Sequence, residues 1–211
     1  QYSSTQIQFL MLINPLILLS ISVLVGNLCF GKVGLKAPIL SSKFDLQKIQ
    51  PLIRDFLKVG VISGIVLGII LILISVVSEK VISSELVNSP LNSSLNIITR
   101  LMYGGITEEI FMRFGLMTFL VWIIAKISNS ESNWVFLSAI LISSLMFALG
   151  HLPIVYATVE VVSFGLVTYI LIGNSIAGLV YGYLYWKKGL ECSMISHMTT
   201  HITFVVANFL F

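Results

Sequence analysis

Charged residues are scarce in this sequence, and their scarcity excludes several classes of protein. Lys, Arg, Asp and Glu make up 10% of the 211 residues, whereas 57% are hydrophobic. Soluble domains are roughly 25% charged, so the composition excludes a soluble globular protein, a disordered chain and a nucleic-acid-binding domain. The alternation of polar and apolar residues typical of a membrane barrel is also absent. Apolar runs of about 20 residues recur instead, which predicts an all-α, polytopic transmembrane helical bundle.

Cysteine and histidine are rare as well. The two cysteines, Cys29 and Cys192, lie far apart and indicate neither a disulfide scaffold nor a pair of thiol metal ligands. The chain has three histidines and nine acidic residues. An ionisable side chain inside a membrane span is costly and commonly functional, so these few residues are the candidates for chemistry.

Half of the twelve basic residues fall between Lys32 and Lys58. A basic segment of this kind is typical of a cytoplasmic loop. Apolar residues recur at helical spacing between these charges, which predicts an interfacial amphipathic helix; they are Phe44, Leu46, Ile49, Leu52, Ile53 and Phe56.

We predict a single integral membrane domain over residues 1–211, with a motif-bearing core at about 95–211 and amino-terminal spans with the basic connector at 1–94. About six to eight membrane helices are expected, one of them short or re-entrant. The predicted full-length spans are 7–30, 59–77, 106–127, 134–150, 154–172 and 190–211, with a short span at 175–186. A polar loop at 78–94 contains Asn88, Pro90 and Asn92. A short helix at 95–103 is predicted to end at Gly104-Gly105, and a further break is predicted at Gly173-Asn174.

The order of these predicted spans brings the ionisable residues to one level. Glu108 and Glu109 begin one span, His151 ends the next, and His197 lies about 10 Å into the last span at 1.5 Å per residue. His201 follows one turn later. The same counting predicts that Lys187 and Lys188 lie on that side. If the 95–103 helix crosses the membrane, this side is cytoplasmic.

Spacing within each helix indicates roles. Glu109 and Arg113 are four residues apart and are expected to form a structural ion pair, because neither charge is tolerable alone in lipid. Glu108 points about 100° away from Glu109 and is left as a candidate general base. His197 and His201 share one helix face, which suits two metal ligands or two groups facing one reacting centre.

Structural alternatives stay open for several of these residues. Glu108 could be a structural partner of a histidine, and the histidines could be packing residues. Glu160 could line the site or hydrogen-bond to a neighbouring helix. Phe147 and Asn174 are further candidates for lining the site. Gly178 and Gly182 predict close helix packing.

Three motifs occur in order inside separate apolar runs. They are Glu108-Glu109-x-x-x-Arg113, Phe147-x-x-x-His151 and His197-x-x-x-His201. In this order and spacing, residues 95–211 resemble the CaaX protease and bacteriocin-processing family (CPBP, also called ABI) of intramembrane proteases. The family usually has Asn or Asp at the position of His201.

The resemblance implies hydrolysis of a peptide bond inside the membrane. In the glutamate mechanism, which needs no cofactor, Glu108 and His151 activate a water molecule, and His197 and His201 stabilise the oxyanion. The departure at His201 keeps a zinc-dependent mechanism open, with Glu108, His151, His197 and His201 as the ligand set.

The resemblance also implies partners and a location. The expected partners are the lipid bilayer, a membrane-associated or lipidated peptide or protein substrate, and a membrane protein partner, without nucleic acid. The expected location is a bacterial cell membrane. Two alternatives from other classes are a catalytically silent scaffold or bacteriocin-immunity protein that binds a partner through the same groove, and a proton-coupled transporter.

Overall fold

The structure is a computed structural model that describes residues 4–42, 45–87 and 96–210. These residues form helices and short connectors. Five helices are long and apolar enough to cross a membrane, which confirms the predicted all-α polytopic bundle. Their membrane-spanning portions are Leu12–Phe30, Ile49–Glu79, Ile97–Ser128, Asn133–Thr158 and Phe164–Lys187.

The amino-terminal part contains two long helices. Helix α1 spans Ser4–Phe30, and a single turn, α2 (Pro38–Ser41), precedes α3 (Leu46–Val87). The prediction of an interfacial helix separate from the second span was wrong, because α3 runs continuously through both segments. A helix that has formed extends cooperatively, because each added residue gains a hydrogen bond. Residues 52–59 contain no glycine, proline or asparagine that would interrupt it. Helix α3 also occupies most of the predicted 78–94 loop; Phe44, Asn88, Pro90 and Asn92 lie outside the described residues.

The first motif lies on one uninterrupted helix, Ile97–Ser128, which we call the motif helix. It joins α4 (Ile97–Thr99), two π-helical segments, π1 (Arg100–Glu108) and π2 (Ile110–Met117), and α5 (Thr118–Ser128). The Asn96 side chain accepts a hydrogen bond from the backbone of Ile98 and so caps its start. The predicted short or re-entrant helix ending at Gly104-Gly105 was therefore wrong.

The next break in the chain also differs from the prediction. Helix α6 (Asn133–Gly150) is followed by the short α7 (Leu152–Thr158) and by α8 (Phe164–Lys187), so residues 154–172 and 175–186 are not two separate spans. Asn174 is accommodated inside α8, where its amide donates to the carbonyl of Ile170 at 2.9 Å. In lipid an unbroken helix satisfies the backbone, so a weak breaker does not end it.

The structure has one membrane crossing where two were predicted, at 154–172 and 175–186. This difference changes which end of the bundle carries Lys187 and Lys188. Because α8 runs antiparallel to α6, these lysines lie where α6 begins, and Phe136 stacks on Trp186 there with ring centroids 5.0 Å apart. Lys188 Nζ is 3.0 Å from Asp55 Oδ2 near the start of α3. We call this end of the bundle the basic end. The prediction that Lys187 and Lys188 share a side with His151 was wrong.

The last helix, α9 (Leu190–Leu210), returns from the basic end. Its amino-terminal residue donates a backbone hydrogen bond to Lys36 at 3.0 Å, which joins it to the connector between α1 and α3. Buried apolar residues fill the bundle at this end; they are Val33, Leu35, Ala37, Met117, Val121, Val135, Ala139, Ile140, Tyr185 and Leu190. We call these ten residues the basic-end core.

Glycines allow two pairs of helices to approach closely. As predicted, Gly178 and Gly182 pack α8 on α6, where added Cβ atoms would lie 2.8 Å from Ser144 and 3.1 Å from Ile140. A second ridge joins α3 to α9 and was not predicted, although its spacing is visible in the sequence. It consists of Gly60, Gly64 and Gly68.

Candidate active site

A carboxylate and a guanidinium lie buried at the centre of the bundle. Glu109 is 0% exposed and Arg113 is 1% exposed, and Glu109 Oε1 is 3.3 Å from Arg113 Nη1. Arg113 Nη2 donates to the carbonyl of Gly178 on α8 at 3.1 Å. The guanidinium also lies over the rings of Phe147 and Tyr181, at 4.8 and 5.3 Å from their centroids. Pairing and cation–π contacts offset the cost of removing both charges from water.

Glu109 also connects the motif helix to α9. Its Oε1 accepts a hydrogen bond from His197 Nδ1 at 2.9 Å. Ser193 Oγ lies within hydrogen-bonding distance of Glu109 Oε2 and of the Tyr181 carbonyl. Ser193 and His197 are one turn apart, so both face the same carboxylate. One buried charge therefore holds three elements in register.

This arrangement decides which nitrogen of His197 is available. Because Nδ1 donates its hydrogen to Glu109, Nε2 is the nitrogen that faces the rest of the site. It lies 3.9 Å from Glu108 Oε2, and the Glu108 side chain is 20% exposed. That separation is too long for a direct hydrogen bond and short enough for one water molecule to bond to both atoms. Glu109 therefore orients His197, and Glu108 faces it from the accessible side.

His201 packs against His197 and against the motif helix. The two imidazoles stack with centroids 4.9 Å apart, and Tyr181 stacks on His197 at 4.4 Å. A Cβ added to Gly104 would overlap His201 Nε2 and lie 3.5 Å from His197 Nε2. Gly104 is therefore a site of close approach rather than the predicted helix break, and its missing side chain leaves space for both imidazoles.

His151 reaches the site through Phe147. Its Nδ1 donates to the Phe147 carbonyl at 2.8 Å, so Nε2 is its remaining nitrogen. The Phe147 ring contacts His151 and His197 edge to face, with centroids 4.7 and 6.1 Å apart. Phe147 thus lies between these two imidazoles and beneath the Arg113 guanidinium.

The wide turns of π1 and π2 lie on either side of Glu109. Hydroxyls bond across these turns to carbonyls five residues earlier, from Thr107 to Met102 at 3.2 Å and from Thr118 to Arg113 at 3.1 Å. π-helical turns are rare and frequently occur at functional sites. Sequence periodicity does not reveal them, because they depend on how the turn packs against neighbouring helices.

The lining role expected of Asn174 and Glu160 stays a prediction. The Asn174 amide bonds within its own helix, and Glu160 is exposed in the connector between α7 and α8. Conversely, sequence reasoning missed Ser193, Tyr181 and Gly104. Ser193 could have been found, since it precedes His197 by four residues on a predicted helix. No spacing of this kind in the sequence links Tyr181 to the site.

The proposed zinc ligands do not form a metal centre in this arrangement. Within residues 4–42, 45–87 and 96–210, no group of three or more His, Cys, Asp and Glu side chains is placed to hold a metal ion. The four predicted ligands therefore do not fit a zinc site as arranged.

Comparison with known proteins identifies a family for this chain. Residues 90–203 match the family model for Rce1-like proteins, described as type II CAAX prenyl endopeptidase Rce1-like. The match covers more than half of the chain and includes all three motifs, which confirms the resemblance inferred from them. No curated protein and no solved structure matches the chain.

Arg113→Met should strongly destabilise the protein, because it leaves the Glu109 carboxylate buried without its cationic partner. Breaking a buried pair in this way costs about 3–5 kcal/mol. Lys126→Met, at an exposed position on the same helix, is the matched control. Thermal unfolding in detergent should show a large loss of stability for Arg113→Met and a small loss of stability for Lys126→Met. Equal stability of the two variants would contradict the buried-pair interpretation.

Proposed function

Since this chain belongs to the family of Rce1-like type II CAAX prenyl endopeptidases, we propose that it is an intramembrane endopeptidase. Its substrate is a membrane-associated peptide or protein, and the bond hydrolysed is a peptide bond. The observation that carries this proposal is the placement of Glu108 opposite His197 Nε2, 3.9 Å away, at the accessible edge of a buried polar group. We also propose a bacterial cell membrane as its location.

Glu108 acts as the general base. A water molecule bonded to its carboxylate loses a proton to it while the water oxygen attacks the scissile carbonyl carbon. The same carboxyl then gives the proton to the leaving nitrogen as the carbon–nitrogen bond breaks. A positioned base of this kind contributes roughly 10²- to 10⁴-fold to the rate. Glu108 suits this role because Arg113 is already paired with Glu109.

The histidines have roles that follow from their hydrogen bonds. His151, with Nδ1 donating to Phe147, presents Nε2 as an acceptor for the attacking water. His197, held by Glu109 through Nδ1, directs Nε2 toward the reacting carbonyl group. His201, stacked on His197, supplies one further donor where family members have Asn or Asp.

A second candidate function is a catalytically silent scaffold or bacteriocin-immunity protein. The observation that favours it is His201, whose larger ring fills the space against Gly104 where the family has a smaller amide or carboxylate. Such a protein would bind a membrane partner through the same groove without turnover. The two functions differ in whether Glu108 is required.

Glu108→Gln should abolish proteolysis while leaving the fold intact, because the amide is isosteric but is a far weaker base. The measurement is quantitative analysis of new peptide termini in membranes of cells expressing each variant, in ¹⁸O-water so that hydrolysis labels the new carboxyl ends. Wild type should generate labelled termini that fall at least 100-fold in Glu108→Gln. The matched control is Glu131→Gln, at an exposed loop position. Equal amounts of labelled termini in wild type and Glu108→Gln would support the catalytically silent scaffold.

The glutamate mechanism also predicts that the enzyme works without zinc. Elemental analysis of the purified protein should find zinc well below one equivalent, and proteolysis should survive dialysis against a chelator. His197→Gln should leave the metal content unchanged. One equivalent of zinc that is lost in His197→Gln, together with chelator-sensitive activity, would overturn the glutamate mechanism in favour of the zinc alternative.

Gly104→Ala should reduce proteolysis strongly, because the added methyl group displaces the imidazoles of His201 and His197. Gly150→Ala is the matched control, since a Cβ at Gly150 meets no atom within 4 Å. The double variant Gly104→Ala/His201→Asn should recover part of the lost activity, since Asn is smaller and still donates a hydrogen bond. Failure of Gly104→Ala to lower activity, at unchanged thermal stability, would show that imidazole placement is unimportant.

A further inference from the structure

We propose that a cavity at the basic end binds the headgroup of an anionic phospholipid. The cavity has a volume of about 380 Å³ and lies between the connector after α1 and the end of the motif helix. The ligand class is a phosphodiester whose polar group carries hydroxyls, as in phosphatidylglycerol. The proposal does not depend on the proposed function, because the lining residues are not those of the site around Glu109. The polar and aromatic lining consists of Lys32, Trp122, Lys126, Asn129, Ser130 and Glu131.

Tryptophan residues place the cavity at the depth of the lipid headgroups. Trp122 lies near the end of the motif helix, Trp134 is the second residue of α6, and Trp186 is the second-last residue of α8. All three tryptophans of the chain are thus at the basic end. Tryptophan is enriched where a membrane meets water, so a headgroup in the cavity lies at its ordinary depth.

Exposed apolar side chains continue from the cavity along the bundle. The Phe119 ring centroid is 6.0 Å from that of Trp122, and Phe119 is 38% exposed. Leu28, four residues before Lys32, is 58% exposed. A lipid whose headgroup occupies the cavity can therefore lay its acyl chains over α1 and the motif helix. A free phosphate ion gains nothing from this apolar surface.

Two cationic side chains converge on one ring in this cavity. Lys32 Nζ lies 5.8 Å and Lys126 Nζ 5.1 Å from the ring centroid of Trp122. Within residues 4–42, 45–87 and 96–210, neither ammonium group has a carboxylate at salt-bridge distance. The two like charges repel each other, and an anion bound between them relieves that repulsion. Basic pockets between transmembrane helices are known to bind anionic lipid headgroups.

The turn after the motif helix supplies the remaining polar groups. Asn129 adopts the left-handed conformation, with a φ of 48°, and its backbone N–H donates to the Ala125 carbonyl, which ends the helix. Ser130 and Glu131 follow, so this turn lies beside Lys126. Two ammonium groups and the Glu131 carboxylate leave the cavity with an excess of one positive charge. That excess matches the single negative charge of a phosphodiester, while Glu131 can accept a hydrogen bond from a headgroup hydroxyl.

A second effect also favours lysine at this place. Helix α1 and the motif helix both end at the cavity, and the carboxyl-terminal end of a helix carries a partial negative charge that attracts cations. If this were the whole role of Lys32 and Lys126, their removal would lower the stability of the protein equally in every lipid. A lipid-dependent change in stability is therefore the diagnostic measurement.

The experiment measures thermal unfolding of the purified chain in a non-ionic detergent, with added phosphatidylglycerol, phosphatidylcholine or inorganic phosphate. The test variant is Lys32→Gln/Lys126→Gln. The matched control is Lys36→Gln/Lys58→Gln, which removes the same charge from two exposed positions outside the cavity. Native mass spectrometry of the same samples detects retained lipid, so the test does not rely on a thermal transition alone.

Phosphatidylglycerol should raise the unfolding temperature of wild type and of the control variant, because a ligand that binds the folded state stabilises it. The test variant should bind this lipid roughly tenfold more weakly or worse. Phosphatidylcholine and inorganic phosphate should have little effect on any variant.

The proposal is overturned if wild type does not respond to phosphatidylglycerol, or if phosphatidylcholine or inorganic phosphate stabilises it equally well. Equal weakening in the test and control variants would show general attraction to a basic surface and not a site. A less stable test variant with an unchanged response to phosphatidylglycerol would leave only the helix-end effect. None of these outcomes depends on proteolysis, so failure of the proposed function remains distinguishable.

Discussion

The buried carboxylate of Glu109 is the constraint on which the rest of the site depends. An unpaired charge in an apolar bundle is costly, and Glu109 therefore gathers Arg113, Ser193 and His197 around it. Arg113 extends the group to the Gly178 carbonyl of α8. Three helices are consequently joined by one polar cluster. Apolar packing alone, which is non-directional, would not set their rotation or register so closely.

The same constraint divides the two adjacent glutamates. Glu109 faces inward and satisfies its neighbours, whereas Glu108 reaches the accessible edge and faces the free nitrogen of His197. The division depends on Glu109 directing His197 Nδ1 inward. It also depends on Gly104, which lets the two stacked imidazoles lie against the motif helix. The site is thus organised from its buried side outward.

Much of this could be predicted from the sequence, and the errors have a common cause. The scarcity of charge identified a membrane helical bundle, and i, i+4 spacing identified the Glu109–Arg113 pair. The helix breaks at Gly104-Gly105 and Gly173-Asn174 were wrong, because glycine and asparagine weaken helices mainly where water or side chains replace the backbone hydrogen bonds. Inside a bundle no such replacement is available, and these residues serve packing instead. One mistaken crossing then moved Lys187 and Lys188 to the wrong end.

The sequence by itself determined the fold class, the family and the small set of ionisable residues, because composition and motif spacing are local properties of the chain. Only the tertiary structure decided which nitrogen of His197 is free, why Gly104 is needed, and which end of the bundle is basic. These depend on contacts between residues far apart, such as Ser193 and Glu109, separated by 84 positions. Helical periodicity carries no information about such pairs. Such pairs are set by the packing of the helices and by the pairing of a buried charge.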